Sequence, residues 1–407
     1  MAGMDPVPAP TIPALSDLLD RAIAGRVAPA AQGCVLRAGA VVHLSAHGAL
    51  PDGTSVGLET RFDVASVSKL VTTLVAAVLV ERRALDLDAP LRRFLPELAC
   101  GDAVTPRHLL AHTSGLPAWL PLFSWCAADP VARALFPAAG LDGPRRTAAV
   151  ERSRRILLDA SLSVPLAGRT GDRVYSDLGF IVLGRLLEVA GGARLDELAQ
   201  RLVLAPLGLR RTGYVDLAAT DLAARLAAER FVPTGATRPR EPAPGQEGSF
   251  AVRTQAAALD PGQVDDDNAY ALGGVAGHAG IFSTAEDLGR LGQGILEELG
   301  GANRLGAGAA LEEFTRPSPA LSGPPRALGF DLPAPAGSAA GARFGKAGPR
   351  GAIGHLGFTG CSLWVDLDRR LSAALLTNRV LFGRRNVEGI QRLRPEFHDL
   401  GVEATGG

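Results

Sequence analysis

Sulfur, net charge and long apolar runs are all in short supply in this sequence, and each shortage excludes a class of function. Four cysteines, Cys34, Cys100, Cys126 and Cys361, are scattered through 407 residues without a C-x-x-C pair. That spacing argues against a zinc or dithiol redox motif. They read as small buried apolar residues, and whether any two form a disulfide is left open. Lysine plus arginine and aspartate plus glutamate both number 42, so the formal net charge is zero. No global field draws the chain to nucleic acid or to an anionic membrane. The longest apolar stretch, 70–80, is interrupted by Thr72 and Thr73 and ends at Glu81-Arg82-Arg83. It is too short for a bilayer, which takes about 20 residues. The opening MAGMDPVPAPTIPALSDLLDRAI lacks a basic segment followed by an apolar run, so no secretory signal is read. A cytoplasmic location is expected, with a periplasmic one as the alternative had a leader been removed.

What is present is an ordinary globular composition long enough for two or three structural units. Residues 1–12 are proline-rich and expected to be mobile. PALSDLLDRAIAG has apolar residues at helical spacing and stops at Gly25. GCVLRAG and VVHLSAHG read as two strands joined by a tight turn near 38–40. From Ser66 onward, Leu70, Val71, Leu74, Val75, Val78 and Leu79 repeat at helical spacing with Ala76 and Ala77 on the other side. A helix apolar on most faces is a buried one. Helices are expected around His108, over 147–160 and over 177–190. A proline- and glycine-rich loop is expected over 232–264, near the substrate. Thr284–Leu299 reads as a helix capped by Ser283 or Thr284. AIGHLGF, CSLWVDL and LSAALLTN read as strands with a hairpin turn over 366–370, and a helix at about 385–399 closes the chain. Strands at both ends and helices between them imply one sheet built from the two termini, with the middle inserted as a helical unit.

Three clusters carry chemistry. Ser66-Val67-Ser68-Lys69 puts a hydroxyl and an amine one helical turn apart. A serine attacks only when a base takes its proton, and burial can turn a lysine into that base. Taken alone, the same four residues equally describe an N-cap serine and a solvated lysine. Tyr175-Ser176-Asp177 places one of three tyrosines just before a helix. A phenol beside a lysine can serve as general base, or Tyr175 is a core residue with Asp177 as N-cap. His355-Leu356-Gly357 ends a strand. Gly357 would allow close approach of a substrate backbone, and the Phe358 and Ser66 N–H groups would form an oxyanion hole. A structural histidine near a turn is the plain alternative.

In this order the three clusters resemble the serine β-lactamase and penicillin-binding protein superfamily, whose motifs run S-x-x-K, Y-x-N, then K-T-G or H-x-G. Thr105–Pro117, Ala205–Tyr214, Gly273–Leu291 and the closing LLTNRV resemble its class C-like branch: class C β-lactamases, family VIII carboxylesterases, D-aminopeptidases and D,D-carboxypeptidases. The resemblance covers roughly residues 13 to 399. It implies a mixed α/β (α+β) fold of the β-lactamase/transpeptidase type, with an antiparallel sheet flanked by N- and C-terminal helices and an inserted all-helical domain. The expected division is 13–62 with 325–407 for the α/β part and 63–324 for the helical part. Ser66 takes the place of the acylated nucleophile, Lys69 and Tyr175 that of the proton-transfer pair. Asp177, His355, Gly357 and Phe358 fall at substrate-binding positions. No metal or organic cofactor is implied.

Two departures stand out. Asp177 replaces the usual asparagine and has no amide donor, so it is expected to hold Lys69 charged and leave the base role to Tyr175. His355 replaces the lysine of the third motif and is mostly neutral near pH 7, a weaker grip on the carboxylate of a penicillin. Both point to a carboxylesterase-type substrate. A D-amino-acid peptidase or D,D-carboxypeptidase and a β-lactamase are the enzymatic alternatives, and a penicillin-binding sensor or scaffold without turnover is the alternative of another class. The partner is a small ester, amide or D-amino-acid peptide, not nucleic acid or membrane, and oligomeric state is unreadable. His108 and His112 lack a third metal ligand. His112 reads as a turn residue near the cleft and His278 as a loop residue packed by the groove. His43 and His47 are read as non-catalytic. Asp265-Asp266-Asp267 reads as a solvated loop.

Overall fold

Helix α1, Pro13–Ala24, begins with its proline at the first helical position and ends at Gly25 as its spacing requires. In the computed structural model the described residues are 9–136, 141, 143–234, 262–335 and 337–406. Residues 1–8 of the expected mobile segment, and 235–261 of the expected loop, lie outside them. Residues 9–12 are held in place: Leu44 N–H donates to Pro10 O at 2.8 Å and Ile12 N–H to His43 Nδ1 at 3.0 Å.

Strands β1 (Ala30–Arg37) and β2 (Ala40–Gly48) form the expected hairpin, turning at Ala38 and Gly39, both with positive φ. A short strand β3 (Phe62–Asp63) leads into helix α2 (Ser68–Glu81), in which every residue from Ser68 to Leu79 is buried. Then come α3 (Pro106–Leu110), α4 (Gly143–Ser163) and α5 (Asp177–Gly191). Strand β4 (Gly213–Tyr214) and β5 (Ile281–Ser283) join β3 in a three-stranded sheet, order β3-β5-β4. Helix α6 (Ala285–Leu299) is capped by Thr284, whose Oγ1 accepts from Asp287 N–H. Strands β6 (Ala352–Leu356), β7 (Ser362–Asp366) and β8 (Leu371–Thr377) precede the closing helix α7 (Glu388–Ala404), which runs five residues past the expected end.

The main sheet is antiparallel with order β2-β1-β8-β7-β6, so the first and last strands of the chain pair along β1 and β8. Strands β1, β6, β7 and β8 are buried on both faces because alternate residues meet different helices, while the edge strand β2 is only partly buried. Ala31, Val35, Ala373 and Leu375 pack with Leu15 and Leu19 of α1 and Phe397 of α7. Cys34, Leu36, Ala374 and Leu376 pack on the other side with Leu288 and Leu291 of α6. Helix α6 therefore lies on the sheet, although it falls within the 63–324 stretch. Among the described residues, no helix is long and apolar enough to cross a membrane. The four cysteines are free, three buried and Cys100 half-buried.

The helical part is joined to the sheet by the loop before β5, which lies against α2 and α5. A Cβ at Gly277 would meet Phe180 O at 2.1 Å and Gly184 N at 3.1 Å. Thr72 Oγ1 donates to Gly277 O at 2.8 Å. We predict that Gly277→Ala lowers unfolding stability by about 1–3 kcal/mol, the range for overpacking, measured by denaturant titration. A change below 0.5 kcal/mol would mean that this contact is looser than described.

Candidate active site

Ser66 sits in a one-turn 3₁₀ segment, Ala65–Val67, wedged between β3 and α2. Ala65 has φ of +48°, a conformation costing an alanine about 1–2 kcal/mol. Asp63 supports it by accepting the Ala65 N–H at Oδ1, 2.8 Å. Ser68 fixes the other side, its Oγ accepting from Ile281 N–H at 3.1 Å. The helix thus begins two residues after Ser66, which faces the cavity at its N-terminal end.

Lys69 is fully buried. Its Nζ donates to Ser66 Oγ at 2.9 Å, Asp177 Oδ1 at 2.7 Å and His278 O at 3.1 Å, which uses the three donors of an ammonium. Burial alone would lower the Lys69 pKa. The Asp177 carboxylate and Tyr175 outweigh it and hold the amine above the ordinary lysine value. Ser176, not Asp177, caps α5, its Oγ accepting from Gly179 N–H at 2.9 Å. That frees the Asp177 side chain for Lys69. The Tyr175 ring lies with its centroid 4.9 Å from Lys69 Nζ and packs 4.6 Å from the His112 ring. Burial raises the Tyr175 pKa, while neighbouring Lys69 and Ser66 favour its ionised form.

His355, 2% exposed, is the penultimate residue of β6. Its Nδ1 lies 2.8 Å from Leu356 O, so Nδ1 carries the proton, and Nε2 has no hydrogen-bond partner among the described residues. Burial pushes its pKa down to about 4, so it is neutral at pH 7. Gly357 lines the cavity, but its missing side chain serves the fold: a Cβ would meet Val64 O at 2.4 Å. Only glycine lets this turn close against the backbone that carries Ser66. Thr359 Oγ1 donates to Asp63 O at 2.7 Å and ties the same two segments. Phe358 is 47% exposed, its ring 4.7 Å from the Arg379 guanidinium and 5.1 Å from that of Arg384. Among the described residues, neither the Phe358 nor the Ser66 N–H donates to a protein acceptor.

Ser66, Tyr175, Asp177, His355, Gly357 and Phe358 line one cavity of about 610 Å³, with Lys69 buried behind it, together with residues that sequence reading passed over, Trp119, Arg326, Asp331 and Arg394 among them. Arg326 pairs with Asp331 and lies 5.1 Å from the Tyr175 ring centre. The 265–267 segment is not a solvated loop. Asp265 and Asp267 are buried, Arg384 Nη2 donates to Asp265 Oδ2 at 2.7 Å, and His278 Nε2 contacts Asp266 Oδ1 at 2.8 Å. Three acidic residues in a row carry no sequence signal of those partners, which come from elsewhere in the chain. His108 is engaged locally, and His112 by a residue distant in the chain. His108 Nδ1 lies 3.2 Å from Thr105 N in a capping box, and His112 Nδ1 accepts from Ser176 N–H at 3.0 Å.

The chain as a whole resembles known proteins over most of its length. The Beta-lactamase family model matches residues 17–394. The chain belongs to this family. It is 32% identical over 388 residues to Esterase EstB of Burkholderia gladioli, covering 91% of each chain. It is 28% identical to N-acetylmuramyl-L-alanine amidase of Bacillus subtilis, over 79% of this chain and 68% of that one. The structure of a class C β-lactamase mutant superposes with a TM-score of 0.64 at 18% identity, covering 95% of this chain and 96% of that one. The β-lactamase fold, a mixed α/β architecture with an antiparallel sheet and many helices, is thereby established, and with it membership of a serine hydrolase superfamily.

Within this β-lactamase-family cavity the charge pattern has two measurable consequences. Asp177→Asn removes the carboxylate that holds Lys69 protonated. We predict that the Lys69 Nζ titration moves to lower pH in that variant, followed by NMR with ¹⁵Nζ-labelled lysine. Lys69 and the exposed Lys346 are the chain's two lysines, and Lys346 is the reference signal. An unmoved Lys69 titration would contradict the role given to Asp177. The second consequence concerns acid. His355 at about 4 and His112, well below 6.5 through burial, bind fewer protons folded than unfolded, where a histidine titrates near 6.5. Their contribution to stability is complete above pH 6.5 and is lost as pH falls toward 4. Each adds a slope of up to about 1.4 kcal/mol per pH unit in that window. Stability measured at pH 7 and pH 5 should fall in that sense, and His355→Asn should shrink the difference. An unchanged difference in His355→Asn would mean that His355 is not held neutral by burial.

Proposed function

We propose that the protein is a carboxylesterase-type serine hydrolase that works through an acyl-enzyme on Ser66. Ser66 Oγ attacks the ester carbonyl. The oxyanion of the tetrahedral intermediate takes the N–H groups of Ser66 and Phe358. Lys69, held as an ammonium, has no lone pair to offer, so the Tyr175 oxygen in its ionised form receives the Ser66 proton, with the Lys69 charge stabilising the phenolate. Tyr175 then returns the proton to the departing alkoxide. In the second half water gives a proton to Tyr175, its oxygen attacks the acyl carbon, and Tyr175 hands the proton to Ser66 Oγ.

The observation that carries the ester reading is His355. It stands where relatives of the penicillin-recognising type are expected to present a lysine, and its burial leaves it uncharged at pH 7. A neutral ester asks for no cation there. A penicillin carboxylate does. Similarity to an esterase at 32% identity supports the same choice. Arg326 supplies the observation for a second reading, a D-amino-acid peptide bearing a terminal carboxylate, since it is a cation lining the cavity. Its pairing with Asp331 offsets that charge and ranks this reading second.

Native protein should cleave p-nitrophenyl butyrate and leave a chromogenic cephalosporin nearly untouched, and Ser66→Ala should be silent on both. Turnover of the cephalosporin at the ester's rate would remove the ester reading. Full activity in Ser66→Ala would remove Ser66 as nucleophile. Because the base is a phenol whose pKa lies above its ordinary 10, the ionised fraction grows with pH. The kcat/KM for the ester should therefore climb between pH 7 and pH 9. A profile that peaks below pH 7 and then declines would assign the base to another group.

A further inference from the structure

The oxyanion donor at Phe358 belongs to a peptide unit whose other end is held by a residue far along the chain. Arg394, on α7, is 9% exposed. Its Nη2 donates to Gly357 O at 2.5 Å and to Cys361 O at 2.9 Å. Gly357 O and the Phe358 N–H are the two ends of one planar trans peptide, so they point in opposite directions and turn together. Fixing the carbonyl fixes the N–H. The rest of the turn permits this one orientation: Gly360 N–H donates to the same Gly357 O at 3.0 Å, and Gly357 N–H donates to Cys361 O at 2.7 Å. The carbonyl thus accepts two donors, one of them a cation, while the N–H of the same unit has no protein acceptor among the described residues.

We propose that Arg394 is a positioning residue for the oxyanion hole, which aims the Phe358 N–H at the reacting carbonyl oxygen and strengthens it as a donor. Two effects combine. The guanidinium stops the peptide from rotating, so no reorganisation is needed when charge develops. A cation on the carbonyl also draws electron density through the amide, and hydrogen bonds in such chains reinforce one another. No carboxylate is paired with Arg394 among the described residues; a buried arginine spent on two backbone carbonyls is costly unless those carbonyls must be held. Arg394 touches the donor peptide rather than the reacting atoms. Its effect is therefore expected in the transition state and not in ground-state binding.

The inference rests on the oxyanion role given to Phe358, so Ser66→Ala is measured alongside as the test of the underlying reaction. Arg394→Met keeps the length of the side chain and removes the donors; Arg394→Lys keeps the charge and one donor direction. With p-nitrophenyl butyrate, Arg394→Met should lose about 10- to 100-fold in kcat, part of the roughly 100- to 1,000-fold that loss of a whole oxyanion donor costs. Its KM should change less than about threefold. Arg394→Lys should recover part of the loss. The affinity of phenylboronic acid, which forms a tetrahedral adduct on the serine, should fall by a factor similar to that in kcat. If Ser66→Ala is silent while Arg394→Met keeps kcat within twofold, the inference fails and the serine hydrolase reading stands. If kcat falls but boronate affinity does not, or if KM rises as much as kcat falls, Arg394 acts on the fold alone and the inference is overturned. If Arg394→Met does not fold, Arg394→Lys decides by the same comparison of kcat with boronate affinity.

Discussion

A single buried ammonium organises this molecule. Lys69 has no contact with solvent, and an unpaired charge in that position would cost several kcal/mol. The fold therefore brings it three acceptors from three places: the Ser66 hydroxyl one turn earlier, the Asp177 carboxylate at the head of α5, and the His278 carbonyl from the loop before β5. Those partners dictate much of the surrounding architecture. α5 must start beside α2, which is why Ser176 takes the capping duty and leaves Asp177 free. The 273–280 loop must lie flat on both helices, which is why Gly277 lacks a side chain. Removing any acceptor leaves the charge short of a partner.

The second constraint is the close approach of two chain segments that are nearly three hundred residues apart. The Asp63–Ser66 turn comes from the start of the helical stretch, and the Gly357–Cys361 turn from the strands near the C-terminus. Gly357 touches Val64 O, and the Thr359 hydroxyl bonds Asp63 O. The main sheet sets up this meeting by pairing β1 with β8, so that both ends of the chain share one rigid body. The two N–H groups, without a protein acceptor among the described residues, are thus held by backbone contacts and by the buried Thr359 and Arg394 side chains, which suits donors that must be aligned before reaction.

Much of this was legible from residue patterns. The strands, the apolar periodicity of α2 and the Thr284 cap were all visible because they are local. The S-x-x-K spacing was visible for the same reason: four residues lie on one turn. What escaped reading depended on distant partners. Asp265 and Asp266 read as solvated, and only the folded chain brings Arg384 and His278 to them. Gly357 was legible as a position of close approach, but the approaching group proved to be Val64 O. Arg326, Asp331 and Arg394 lie outside any recognisable spacing and enter the cavity by the packing of elements whose order the sequence does not display. The replacements at Asp177 and His355 were legible, and their consequence, a charged lysine beside a neutral histidine, follows from burial, which residue order alone does not reveal.

If the proposed reaction is right, Ser66 carries the acyl group during turnover. The most direct test is acid quenching of the protein within the first turnovers of p-nitrophenyl butyrate, followed by mass spectrometry of the intact chain and of its peptides. A butyryl adduct of one per chain is expected, located on the peptide containing Ser66, appearing with a burst of p-nitrophenol and decaying as hydrolysis completes. An adduct on another residue, or steady hydrolysis with no adduct at any quench time, would contradict the proposed reaction.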